Sequence, residues 1–224
     1  MLKSHYREII FSILVTLSFL KTSAQWSELG GLNSLAANNP ASVICSDVSG
    51  NIYTAGQFTN SNGNQYVAKW NGTNWSELGG LNSLAANNNI YSICSDAAGN
   101  IYAAGQFSNS NGKQYVAKWD GSNWSELGGL NSIGINGNIY TICADGAGNI
   151  YAGGSFFNSN FKNYIVKWNG SNWSVFGGSN GFEVNAPIYS LCSDAAGNIY
   201  AGGGFSNTSG YVYVARWNGT NWSE

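Results

Sequence analysis

From Ile90 to Asp96 polar and apolar side chains alternate in the run IYSICSD, and β-branched and aromatic residues dominate it. That pattern predicts a half-buried strand. AAGN (97–100) then reads as a tight turn in which Gly99 supplies the positive φ a reversal needs. A second strand is predicted at IYAAGQF (101–107), a polar loop at SNSNGK (108–113), and a third strand at QYVAKW (114–119). After a turn at DGSN, WSELG (124–128) forms the fourth. No segment carries a 3.6-residue apolar period long enough for a helix.

The same pattern returns at a fixed interval. Trp26, Trp75, Trp124, Trp173 and Trp222 are 49 residues apart, as are Trp70, Trp119, Trp168 and Trp217, and Cys45, Cys94, Cys143 and Cys192. The units starting at Trp26 and Trp75 differ at only 11 of 49 positions, as a recent duplication would leave them. Four short antiparallel strands in a repeat of this length predict the blade of a β-propeller. Side-chain size supports a radial arrangement. Cys94, Ala103, Ala104 and Gly105 lie in the first two strands, Tyr115, Trp119 and Trp124 in the last two, so small residues would face a crowded axis. The fold class expected is therefore all-β, a propeller with four blades in this chain.

W-[ND]-G-[ST]-N-W joins the third strand to the outermost one. Asn-Gly or Asp-Gly there predicts a type I′ hairpin with positive φ at both central residues. The flanking tryptophans are expected to fill the widening gap between blades, since large aromatics are chiefly a burial resource. Sugar stacking is the second reading of the same rings.

Residues 1–24 differ from the rest. A basic start (Lys3, Arg7), an apolar run from Ile9 to Leu20, and Thr22 and Ala24 at the −3 and −1 places describe a cleaved export signal. The run is shorter than the roughly 20 residues a spanning helix needs. The domains are thus a signal at 1–24 and repeats at 25–224, with a partial fifth unit at 222. In 25–224 six basic residues face ten acidic ones, a net charge of −4, with no basic cluster. Nucleic acid is not an expected partner. The single histidine, His5, falls in the signal.

SDAAGNIYAAGQF (95–107) resembles the D-x-x-G-N-x-Y-x-x-G core of bacterial secreted β-propeller repeats. IYAGGSF and YIVKWNGSNW, both within 150–173, are similar to kelch and galactose-oxidase-type blades. Their glycine doublet stands at Gly153–Gly154 and Gly202–Gly203, whereas the first two units have Ala55–Gly56 and Ala104–Gly105. The resemblance covers all of 25–224 and implies a fold and an extracellular setting, but no activity. Galactose-oxidase copper chemistry does not carry over, because its ligands include histidines. The repeats are also similar in style to tachylectin-type propeller lectins, which implies one sugar site per blade.

The four cysteines share one position on the innermost strand. Equivalent sites in successive blades are expected to lie too far apart for a disulfide, so free thiols are predicted. Asp47, Asp96, Asp145 and Asp194 end each first strand. They either ring one mouth of the axis and attract Ca²⁺, or accept hydrogen bonds from their own turns, the simpler reading. The loops NSNGNQ (60–65) and NSNGKQ (109–114) lack the carboxylates of a calcium site. Without a histidine, a phosphate loop or a G-x-S-x-G elbow, neither catalysis nor a metal or other cofactor is expected.

Divergence between units gathers in the second-to-third loops and the interblade connections, including Phe161, Lys162, Phe182, Glu183 and Tyr211. Exposed loops on a rigid scaffold are the usual place for recognition. These five are the candidate binding residues, and the expected function is a secreted, non-catalytic module that binds an extracellular protein or glycan. A multivalent lectin with repeated Trp, Tyr and Asn sites is the alternative; a structural spacer is the third. The ring is expected either to close with residues 26–30 completing the last blade, leaving WSE at 222–224 surplus, or to continue in a longer array.

Overall fold

The computed structural model describes residues 27–129, 133, 135–177 and 182–224. The expected export signal at 1–24, Gln25 and Trp26 lie outside them. Blade one consists of β1 (Ala41–Ser46), β2 (Ile52–Gly56), β3 (Ala68–Trp70) and β4 (Trp75–Glu77). Blade two has β5 (Ile90–Ser95), β6 (Ile101–Gly105), β7 (Ala117–Trp119) and β8 (Trp124–Glu126). In blade three, β9 (Ile139–Ala144), β10 (Ile150–Gly154), β12 (Val166–Trp168) and β13 (Trp173–Val175) form the sheet, while β11 (Asn163–Tyr164) pairs outside it with β14 (Glu183–Val184). Blade four closes the series with β15 (Ile188–Ser193), β16 (Ile199–Ser206), β17 (Val212–Trp217) and β18 (Trp222–Ser223). Each blade is an antiparallel meander in sequence order, as the strand pattern predicts.

The first strands β1, β5, β9 and β15 pack one upon the next, which puts them nearest the axis. In blades one to three the second strand ends on a glycine for a steric reason, and in blade four the same glycine lies within it. A Cβ on Gly105 would stand 2.1 Å from the Asn89 carbonyl oxygen, and Gly56, Gly154 and Gly203 meet the same obstacle. That carbonyl accepts the Gln106 N–H at 2.9 Å, which tucks the incoming chain under the sheet. The first residue of each doublet has no such neighbour on its own sheet, so alanine serves at 55 and 104.

Blades bury their apolar side chains against each other. Tyr53, Ala55 and Val67 of blade one meet Ile90, Ile93 and Ala103 of blade two, and the same positions recur at the next two junctions. Indoles bind the outer rim: Trp75, Trp124 and Trp173 donate their Nε1–H to the carbonyls of Leu29, Leu78 and Leu127 at 3.0–3.2 Å. Packing between blades is thus the tryptophans' part in the fold. Trp222 departs from the rule. Phe176 replaces the leucine there, its ring lies edge-on to the indole at 5.8 Å, and the buried Trp222 Nε1 finds no acceptor.

Two expectations are corrected. The W-[ND]-G-[ST]-N-W hairpin is not a two-residue type I′ turn. Trp70 pairs with Trp75 across a four-residue loop in which only Gly72 is left-handed, at φ 98°, and Asn71 Oδ1 accepts the N–H groups of Thr73 and Asn74. Nor do residues 27–30 complete blade four. The Leu29 carbonyl sits against Trp75 of blade one, and Trp222–Ser223 is itself the fourth strand of the last blade.

Candidate functional site

The loop between the second and third strands is built around an asparagine. In blade two Asn109 Oδ1 accepts the N–H groups of Asn111 and Lys113 at 3.0 and 3.1 Å. Its Nδ2 is left to reach across to the Glu126 carboxylate at 3.1 Å. Asn60 with Glu77 (2.9 Å) and Asn207 with Glu224 (3.0 Å) repeat the pair. Blade three carries Val175 where the others have glutamate, yet Asn158 is still paired: Glu183, from the following connection, accepts its Nδ2–H at 2.6 Å. The amide–carboxylate pair therefore survives in all four blades although its carboxylate has moved along the chain.

These pairs border open clefts on the rim. In blade two a cleft of 390 Å³ is lined by Leu84, Asn109, Tyr115, Asn123, Trp124 and Glu126, among others. A cleft of 210 Å³ occupies the corresponding place in blade four, with Phe182, Glu183, Tyr213, Trp222 and Glu224 on its walls. Burial, and then the neighbouring glutamate, raises the phenol pKa of Tyr66, Tyr115 and Tyr213. Each cleft thus presents a neutral O–H, a carboxylate acceptor and an aromatic edge. Such a set suits an uncharged polyhydroxylated ligand, for apolar walls with a few fixed polar groups are the usual make-up of small-molecule sites.

The five sequence-derived candidates are placed unequally. Phe161 is 78% exposed at φ 57°, stacked on Phe157 with centroids 5.6 Å apart. Lys162 is exposed on the same loop, and Glu183 reaches that loop through Asn158. Tyr211, 73% exposed, occupies the position of Lys162 one blade further on. Phe182 is not on the loop face: it is 5% exposed, in the core, 4.4 Å from the Trp222 ring and edge-on to Phe205. Its repeat counterparts are Leu35, Leu84 and Ile133, and that unbroken apolar identity is the signal that marks it as core. The Asn–Glu pairs escaped the sequence reading because both residues recur in step with the repeat. Their 17-residue spacing, lost only in the unit that gains Glu183, was the available clue.

The aspartates are turn residues. Asp96 Oδ1 accepts the N–H groups of Ala98 and Asn100, while Oδ2 takes the Asn100 amide at 2.7 Å and the Tyr102 hydroxyl at 2.9 Å. Burial would raise the Asp96 pKa, but these four donors together hold it below the ordinary carboxylate value. Asp47, Asp145 and Asp194 are bound in the same way and are also lowered. Among the described residues no three His, Cys, Asp or Glu side chains are grouped to hold a metal ion. The four cysteines are free thiols. Burial, then nearby charge, pushes Cys45 and Cys143 up to about 12, which keeps both protonated at neutral pH.

No family model and no curated protein matches the chain. Among solved structures it is similar to the lectin of Aleuria aurantia bound to α-methyl-L-fucoside, with a TM-score of 0.50 and 15% identity over 81% of this chain and 58% of the lectin. A fucose lectin from Kordia zhangzhouensis in complex with methyl-fucoside matches at a TM-score of 0.37 and 22% identity, over 59% of this chain and 95% of that one. A family 25 polysaccharide lyase, an ulvan lyase, matches at 0.44 and 13%, over 80% and 56% respectively. The Aleuria lectin shares the blade architecture, so the chain is an all-β, propeller-type protein; it spans 58% of that lectin's length.

Proposed function

We propose that this chain is an exported, non-catalytic propeller module that binds glycans in clefts repeated along its rim. One observation carries the reading. The Asn–carboxylate pair is present in every blade and persists where Val175 would have abolished it, and its carboxylates share the two clefts described above with a tyrosine and a tryptophan. A turn alone would be satisfied by the asparagine's Oδ1; the carboxylate adds an acceptor at the cleft edge. The similarity to fucose-binding propellers supports the fold on which such sites sit. A kinship with kelch blades rests on the glycine doublets and on the aromatic strand and tryptophan that follow them.

Glycan-array screening followed by calorimetry tests this. More than one ligand per chain is expected. Glu126→Gln keeps an acceptor for Asn109 but removes the charge, and is expected to weaken its own cleft about tenfold. A stoichiometry of one or less, or full affinity in Glu126→Gln and Tyr115→Phe alike, would sink the idea.

A second reading, protein binding at the loop face of the later blades, is favoured by the exposed Phe157–Phe161 stack, which replaces Ser or Thr and Gly in the other units. Phe161→Gly separates the two. It would abolish capture of a protein partner and leave glycan binding untouched.

A further inference from the structure

Every junction between blades has the same polarity, and among the described residues nothing covers the two half-junctions at the two ends of the series. The trailing half consists of Tyr53, Ala55 and Val67 in blade one and their counterparts in blades two and three. Val67, Val116 and Ile165 are at most 1% exposed beneath the following blade, whereas their counterpart in blade four, Val214, is 60% exposed. The leading half includes Ile93, Ile142 and Leu191, each at most 7% exposed; their counterpart in blade one, Ile44, is 70% exposed. Beside Ile44 lies an open cleft of 470 Å³ walled by Leu29, Leu35, Ala37, Ala41 and Thr54. At the next junction the equivalent seat holds Tyr53, Ala55 and Val67.

The geometry points to a second copy of this chain as the occupant, docked head to tail, with Tyr200, Gly202 and Val214 of one copy seated on Ile44 of the next. Polar complementarity agrees. At the two later junctions the N–H groups of Ile142 and Leu191 donate to Ser92 Oγ (3.0 Å) and Thr141 Oγ1 (2.9 Å) of the preceding blade. Ser190 has that position in blade four and matches the Ile44 N–H. Ser95 and Ser193 donate Oγ–H to the carbonyls of Ser46 and Ala144, both at 2.7 Å. Ser46 stands ready to do the same toward the Ser193 carbonyl of a neighbour. The docked pair would add a junction of a kind the chain already makes three times. Because the two surfaces differ, the contact is heterologous: it closes into a ring if the rotation permits and otherwise extends.

Sedimentation velocity with Val214→Glu and Ile44→Glu tests this, since both side chains are already exposed and their replacement leaves the blades folded, as circular dichroism would verify. Wild-type protein is expected at an integral multiple of the monomer mass. Either substitution places an unpaired charge in the junction and is expected to weaken association by about 100-fold or more. Mixing the two variants restores one intact junction, between Val214 of the Ile44→Glu chain and Ile44 of the Val214→Glu chain, so the mixture is expected to form a particle of two chains and no larger. A wild-type protein that is monomeric at about 0.1 mM, or a multimer indifferent to either substitution, overturns the proposal.

Discussion

Phe161 holds a left-handed backbone conformation that Gly63, Gly112 and Gly210 adopt in the other blades. A side chain with a Cβ strains that conformation, by roughly 1–2 kcal/mol. Phe161→Gly is therefore expected to raise the unfolding free energy by about 1 kcal/mol, measured by urea denaturation; a lower value than the parent's would mean that the stack on Phe157 outweighs the strain. Phe182 gives the opposite result. Truncation to alanine removes a buried ring from between Trp222 and Phe205 and is expected to cost about 3–5 kcal/mol. A loss below about 1 kcal/mol would contradict its place in the core. Both residues diverge between units and looked alike in the sequence. What separates them is which positions stay apolar in every unit, a property of the column of counterparts rather than of the residue.

At the scale of strands and turns, the sequence was a good guide where one local rule decides the outcome. Gly99 has the positive φ expected of it, and the Asp turns bind their own backbone. It was a poor guide at the W-[ND]-G-[ST]-N-W loop. The dipeptide Asn-Gly suggested a two-residue hairpin, but the cross-strand pairing of the tryptophans set a four-residue span. The clefts were legible only in part: repeated Trp, Tyr and Asn were foreseen, the glutamate partners were not.

The turns also predict how stability depends on pH. All four aspartates have folded pKa values below their unfolded ones, so their contribution is present above about pH 4 and is lost as the pH falls through the folded values. Tyr53, Tyr102 and Tyr151 are raised, first by burial and then by the hydrogen bond to aspartate. Their contribution is complete below about pH 10 and fades above it. Thermal melts from pH 2 to 11 are expected to show a plateau bounded on both sides. In Tyr102→Phe the alkaline limb should shallow while the acid limb, still served by the remaining donors to Asp96, persists in weakened form. An unchanged alkaline limb would mean that this hydrogen bond does not couple to folding.

For the whole molecule, the blades form a series with a direction. Cys192, on the uncovered side of blade four, is exposed, whereas Cys143 is buried beneath that blade and Cys45 and Cys94 are partly covered. In the Val214→Glu chain, where that face of blade four stays uncovered, an aromatic disulfide reagent at pH 8 is expected to modify Cys192 well ahead of the other three, with mass spectrometry identifying the site. Equal rates at all four would mean that the junctions open readily in solution.

The uniform polarity of the junctions has a further consequence, for inheritance. A 49-residue unit can be added or removed without creating a new kind of surface where the facing halves match, as they do for the first two units; the third junction is more exacting, because a Cβ on Gly153 would stand 2.8 Å from Ile188. Nearly identical stretches of coding sequence, such as those for the first two units, are prone to unequal exchange, and here such an exchange would leave a folded product. If each blade carries one glycan cleft, copy number becomes a dial for avidity, set by recombination and not by mutation of any contact residue.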